Sequence, residues 1–214
     1  DLDILLACAR NRIGTENLLA SRIEAVAEQN WIDAHKQEHS AMIFAERLCI
    51  SPSWSPEKPE YPFTLELDPG LAFGTGKHAT TALCLEWLAT HDLDEQQLID
   101  YGCGSGILAL AAAKLGAKQV YAVDIDPQAV LATKANALNN KLDKKLVVSA
   151  AENATLPPAD ILIANILLNP LLELAQQMSN LVRKNGKLVL SGILSVQVDE
   201  CLVAYSPWFT MGEP

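Results

Sequence analysis

The rhythm of apolar and polar positions changes near residue 61. Before it, residues 21–28 alternate imperfectly, residues 31–39 are polar and helical in tendency, and residues 42–50 read as a strand. After it, short apolar runs at 98–101, 120–123, 146–149, 161–164 and 187–192 read as strands. Helical stretches at 81–89, 107–115, 127–139, 170–183 and 195–205 separate and follow them. The punctuation agrees with that pattern. Asp126-Pro127 is an N-cap followed by proline at the first helical position. Gly116 and Gly186 stand where helices would end. Strands alternating with helices over short connections predict an α/β fold, a mostly parallel sheet with helices on both faces.

Composition narrows the class. Half of the 214 residues are hydrophobic and a fifth are charged, which excludes a disordered chain. Five cysteines are too few and odd in number for a disulfide framework. No apolar run reaches the ~18 residues of a membrane span, so a cytoplasmic location with reduced thiols is expected. The net charge of −10 and the lack of a Lys/Arg tract argue against direct nucleic-acid binding. Four prolines between residues 52 and 62 stiffen the backbone there and mark a linker or domain edge.

The most informative stretch is Leu98-Ile99-Asp100-Tyr101-Gly102-Cys103-Gly104-Ser105-Gly106-Ile107. A strand runs into three glycines at alternate positions and then into a helix, which allows a tight turn and close approach of a ligand to the main chain. Asp124 follows Gly104 by 20 residues at the end of the next strand, where a carboxylate can accept both hydroxyls of a ribose. The pair points to an adenosine-type ligand. A dinucleotide fingerprint needs G-x-G-x-x-G, and here Ile107 holds the place of the third glycine. That spacing disfavours a nicotinamide-dependent dehydrogenase.

D-x-G-x-G-x-G, led by Asp100, instead resembles the first motif of class I S-adenosylmethionine (SAM) methyltransferases. The resemblance places Asp124 at the ribose and Glu152 on the adenine side. Asn165, at the end of the 161–164 strand, resembles the Asn that opens the N/D-P-P-Y motif of nitrogen methyltransferases. An amine attacks a sulfonium methyl in line through its lone pair, and a side-chain carbonyl that accepts its N–H can aim that lone pair. Ile166-Leu167-Leu168 replaces P-P-Y, so the aromatic clamp for a flat base is missing and a nucleic-acid base becomes a poorer substrate.

Upstream, L-D-P-G-L-A-F-G-T-G-K-H-A-T-T over residues 67–81 almost spells a phosphate-binding loop. It fails, because five residues separate Gly70 from Gly76 and His follows Lys77. A glycine-rich lid over a ligand fits it better. With this segment, D-x-G-C-G-S-G-I-L, D-I-D-P and A-N-I-L in order, the chain resembles the bacterial methyltransferases that modify the eleventh large-subunit ribosomal protein. The resemblance implies a Rossmann-like methyltransferase fold and SAM as cofactor. It implies cofactor contacts at Thr81, Gly102, Gly104, Asp124 and Asn165, with Asn165 also catalytic. The implied substrate is that ribosomal protein, at its lysine ε-amines and N-terminal α-amine. A glutamine amide, a small amine, or cofactor binding without activity are the alternatives.

By the same resemblance, residues 1–30 would be the remnant of an N-terminal recognition domain, in a chain that opens without Met. Residues 31–60 would be a linker and proline-rich junction, and residues 61–214 the catalytic domain. The family's closing antiparallel hairpin is expected to be cut short, since the chain stops where its first strand should begin, near Trp208. His35-Lys36-Gln37-Glu38-His39 spells an inverted zinc-protease pattern but has no obvious further ligand. No metal site is expected. Cys103 occupies the first glycine place of G-x-S-x-G, so no nucleophile elbow is present, and packing is its expected role. The other cysteines form no metal spacing.

Overall fold

The computed structural model describes residues 41–55, 61–68 and 78–212. They belong to His39–Pro214, one of the two compact units into which the chain divides. Residues 69–77 of the lid motif, the His35–His39 pattern, Cys8 and the expected recognition remnant lie outside the described residues.

The central sheet has five parallel strands: β4 (Gln97–Tyr101), β5 (Gln119–Asp124), β6 (Leu146–Ala150), β7 (Ala159–Asn165) and β8 (Val182–Ser191), in the spatial order β6-β5-β4-β7-β8. Helix α1 (Ala79–Thr90) precedes β4, while α2 (Ile107–Lys114) and α3 (Pro127–Asn139) follow β4 and β5. Helix α4 (Leu168–Leu181) connects β7 to β8, and α5 (Val198–Tyr205) comes last. The expected α/β sheet is therefore present, and its inner strands β4 and β7 are mostly buried while the edge strands β6 and β8 are only partly covered. One core joins Leu98, Val120 and Ala122 of the strands to Leu85, Leu88 and Leu110 of the helices. The other joins Ile99, Val123 and Leu162 to Leu171, Met178 and Tyr205. Alternate residues of β4 thus feed opposite cores, as a period of two demands.

Tyr205 fixes α5 on α4. It is fully buried, and its hydroxyl donates to the Leu171 carbonyl at 2.7 Å. Tyr205→Phe removes that hydrogen bond and is expected to lower stability by about 1 kcal/mol, read as a shift in urea midpoint at constant slope.

Two local expectations are corrected. Residues 42–50 are not one strand but a hairpin, β1 (Met42–Phe44) and β2 (Leu48–Ser51), whose second strand pairs in parallel with β3 (Phe63–Glu66). Its turn puts Ala45 and Glu46 at φ 47° and 52° without a glycine. Contacts with α1 account for it: the Ala45 N–H donates to Glu86 Oε2 at 3.0 Å, and Arg47 Nη1 donates to the Ala89 carbonyl at 2.6 Å. Strands β1 and β2 therefore build a small sheet with β3, and Leu48, Ile50 and Leu65 of that sheet share a core with Leu85 and Leu110.

The second correction concerns Gly186, which does not end a helix. Helix α4 stops at Leu181, and β8 starts at once. Val182 pairs with Ala159 and Lys187 with Ile161, so residues 183–186 bulge out of register. Arg183 holds the bulge by reaching Asp160 Oδ1 at 2.7 Å and Gln97 Oε1 at 2.6 Å. A Cβ on Gly186 would stand 2.8 Å from the Asp160 carbonyl, so glycine is needed there for close approach. The last helical stretch begins as a 3₁₀ turn, Ser195–Gln197, before α5.

Candidate active site

The strand order contains one reversal. The chain moves outward from β4 through β5 to β6, then returns to the other side of β4 as β7. In an open parallel sheet a crevice forms outside the carboxyl ends of the strands at such a point, because the connections leave in opposite directions. The glycine loop after β4, Asp124 ending β5 and Asn165 ending β7 all lie at those ends. Asp100 pairs with Ile163, so Gly102 and Asn165 each stand two residues beyond that pair.

Backbone geometry explains the glycines. Gly102, Gly104 and Gly106 have φ of 82°, 55° and 81°, a region that side chains rarely tolerate. At Gly102 a Cβ would also lie 2.3 Å from Ile166 Cγ2. The loop is tied to β5 because the N–H groups of Gly102 and Cys103 donate to the Val123 carbonyl at 2.8 and 3.0 Å. Helix α3 holds it from the side: Thr133 Oγ1 donates to the Gly104 carbonyl at 3.0 Å, and Asn136 Nδ2 to the Ser105 carbonyl at 2.8 Å. These two positions escaped the sequence reading, and their partners lie 29 and 31 positions away, where no local signal reports them.

Asp124 is fixed by the loop it faces. Its Oδ2 accepts from the Gly104 N–H at 2.8 Å and its Oδ1 from the Asp126 N–H at 2.9 Å. Each oxygen retains capacity for another donor, so the carboxylate can still accept a vicinal diol. Glu152 sits in a 3₁₀ turn after β6 and is exposed.

Asp100 is fully buried. Its Oδ2 accepts from the Ala109 N–H at 3.0 Å, which caps the first turn of α2. Its Oδ1 has no hydrogen-bond partner among the described residues. Burial pushes its carboxyl up to about 7, the Ala109 N–H pulls against that rise, and the nearby Asp124 charge adds to it. Cys103 is buried and burial raises its thiol, so it is no activated nucleophile. Among the described residues no group of three His, Cys, Asp or Glu could hold a metal ion.

Asn165 and Thr81, far apart in sequence, are brought together. Asn165 Nδ2 donates to Thr81 Oγ1 at 3.0 Å, while Asn165 Oδ1 is buried with no partner among the described residues. A neutral carbonyl oxygen left unsatisfied costs free energy, so it marks a place where a donor is expected to arrive. Gly192 also escaped the sequence reading. It has φ 88°, and a Cβ there would lie 2.4 Å from the Ile166 carbonyl oxygen. The end of β8 is thus pressed against the backbone that follows Asn165. The signal was a glycine closing an apolar strand, a sign of close backbone approach.

The comparisons with known proteins agree with this geometry. The family model described as ribosomal protein L11 methyltransferase matches residues 2–213. The ribosomal protein L11 methyltransferase of Nitrosococcus oceani is 46% identical over 214 residues, covering 100% of this chain and 73% of its own. That of Dechloromonas aromatica is 47% identical over 211 residues, covering 99% of this chain and 71% of its own. The crystal structure of the ribosomal protein L11 methylase from Lactobacillus delbrueckii subsp. bulgaricus superposes with a TM-score of 0.69 at 34% identity, covering 78% of this chain and 87% of that one. A family model that spans nearly the whole chain, relatives of nearly half identity and a superposable fold place the chain in the ribosomal protein L11 methyltransferase family.

Proposed function

We propose that the protein transfers methyl groups from SAM to amino groups of ribosomal protein L11, at lysine ε-amines and the N-terminal α-amine, with repetition up to the trimethylated state. The observation that carries this reading is the buried, unpartnered Oδ1 of Asn165 at the mouth of the β4/β7 crevice. The relatives are named for L11, the choice of these amines rests on the family resemblance, and the Asn165 amide suits an amine nucleophile. The cytoplasm is the proposed location; no helix among the described residues is long and apolar enough to cross a membrane.

The residues present fit SAM. Asp124 retains acceptor capacity suited to a ribose diol. Residues 102–106 turn through three glycines and carry no Lys or Arg, which suits a ligand without a pyrophosphate. Bound there, SAM supplies a methyl group activated by its sulfonium charge. Asp124, Gly102 and Gly104 would hold it, with Thr81 and Asn165 at the β7 side. In the first two transfers Asn165 Oδ1 would accept an N–H of the incoming amine and turn its lone pair toward the methyl; a dimethylated amine has no N–H left and would be placed by the crevice alone. A lysine amine has an ordinary pKa of ~10.4 and must lose a proton before it attacks. Among the described site residues no His or thiolate is poised to take it. Desolvation of the ammonium in the crevice lowers its pKa and lets water carry the proton away. Catalysis is then mostly placement.

We further assign residues 1–30 to substrate recognition, with residues 61–214 carrying the chemistry. Purified L11 with methyl-labelled SAM is expected to gain label on amines, counted by intact mass and mapped by peptide sequencing. Asn165→Ala is expected to lower kcat about 100-fold with little change in SAM affinity. Label on a glutamine amide would overturn the amine assignment. Unchanged turnover by Asn165→Ala at saturating SAM would remove Asn165 from the mechanism.

A further inference from the structure

The side-chain amide of Asn165 has two nearly isosteric ends with opposite chemistry. Its oxygen accepts a hydrogen bond and its nitrogen donates two. Before the third transfer, a neutral amine has at least one N–H and one lone pair. An amide oxygen facing it takes an N–H and leaves the lone pair free. An amide nitrogen facing it would donate to the lone pair and block attack. The reaction therefore needs Asn165 in one of two orientations, and nothing in the shape of the side chain selects between them.

We propose that Thr81 is the positioning residue that fixes the amide in the productive orientation: its hydroxyl accepts from Asn165 Nδ2, and Oδ1 is left to face the substrate amine. Thr81 Oγ1 accepts from Asn165 Nδ2 at 3.0 Å, and the other end of the amide is left without a partner among the described residues. Thr81 is itself 1% exposed, so its hydroxyl is held by the fold and does not sample solvent. It stands in the first turn of α1, and that turn is fastened to the neighbouring strand end: Ser191 Oγ donates to the Thr80 carbonyl at 3.1 Å. The first turn of α1 is thereby bonded to the carboxyl ends of both β7 and β8. An anchor placed so rigidly resists rotation of the amide in a way that a water or an exposed hydroxyl would not.

This inference rests on the assignment of Asn165 as the group that aims the amine, and the test separates the two. Four forms are compared under single-turnover conditions with saturating SAM and L11: the unaltered protein, Thr81→Val, Asn165→Ala and the double variant. Thr81→Val keeps the shape and removes the acceptor. It is expected to slow methyl transfer about 10-fold while SAM affinity, read by calorimetry, stays within about threefold. Thr81→Ser keeps the hydroxyl and is expected to restore most of the rate. In the Asn165→Ala background, Thr81→Val is expected to cost nothing more, because the amide it positions is gone.

Additive losses in the double variant would overturn the proposal, since a purely structural role of Thr81 is independent of Asn165. A drop of more than tenfold in SAM affinity with an unchanged rate would overturn it too, and would make Thr81 a cofactor contact alone. A Thr81→Ser rate as low as that of Thr81→Val would show that the methyl group matters and the hydroxyl does not. If Asn165→Ala alone leaves the rate intact, the reading of Asn165 fails, and the positioning role fails with it.

Discussion

Gly192→Ala is expected to destabilise the protein by more than about 3 kcal/mol and to suppress methyl transfer in whatever fraction remains folded. Two costs combine. A φ of 88° is strained for alanine, at about 1–2 kcal/mol. The added Cβ would also sit 2.4 Å from the Ile166 carbonyl oxygen and 2.9 Å from its carbonyl carbon and nitrogen. Those are backbone atoms, so no rotamer change relieves the contact. Either β8 retreats or the segment after Asn165 does. A retreat of that segment moves the amide that Thr81 holds, at a site where misplacement by about 1 Å costs about 100-fold in rate.

Gly116→Ala is the control. Its φ is 122°, yet a Cβ there would meet nothing nearer than 3.9 Å, so it reports conformational strain without collision. Urea unfolding of the two variants separates the terms. Gly192→Ala should lose clearly more stability than Gly116→Ala. Equal losses would mean that the Ile166 contact yields without cost and that the close approach is unimportant.

The contrast between these glycines shows where the sequence was legible. The parallel sheet and its helices were readable because apolar runs of strand length alternate with longer helical ones. The glycine loop was readable because three alternate glycines between a strand and a helix suit a tight turn that a ligand can approach. Asp126 caps α3 by accepting from the Gln128 N–H at 2.8 Å, as Asp-Pro at a helix start implies. The failures share one cause, which is tertiary contact overriding local signal. Ala45 and Glu46 form a turn that no turn residue announces, because Glu86 of α1 binds it. Gly186 looks like a helix stop, yet it serves a bulge that Asp160 and Arg183 hold. Thr81 and Asn165 were each expected at the site from the sequence, but their hydrogen bond spans 84 positions and no spacing rule reports it.

Asp100→Asn is expected to make the protein more stable than the unaltered form above pH 7, and progressively less so as the pH falls. The Asp100 carboxyl moves from 3.8 to about 7 on folding. Burial is the main cause, only partly offset by the Ala109 N–H, and the charge of Asp124 adds to it. The folded state therefore holds this proton more tightly than the unfolded chain does. Below about pH 4 both states are protonated and the group has no effect on stability. Between about 4 and 7 the unfolded chain has lost the proton and the folded one keeps it. Stability then falls with rising pH by up to ~1.4 kcal/mol per unit. Above 7 the penalty is complete. About three units at that slope amount to ~4 kcal/mol. Asparagine can still accept from the Ala109 N–H but cannot ionise, so the slope disappears. Urea denaturation at pH 5.5 and pH 8.0 should show the difference between variant and unaltered protein growing by about 2 kcal/mol in favour of the variant. Parallel profiles would mean that Asp100 ionises as easily in the fold as outside it. A carboxyl kept at such a cost beside the glycine loop is itself a mark of the site, because perturbed acids gather where charge is to be received.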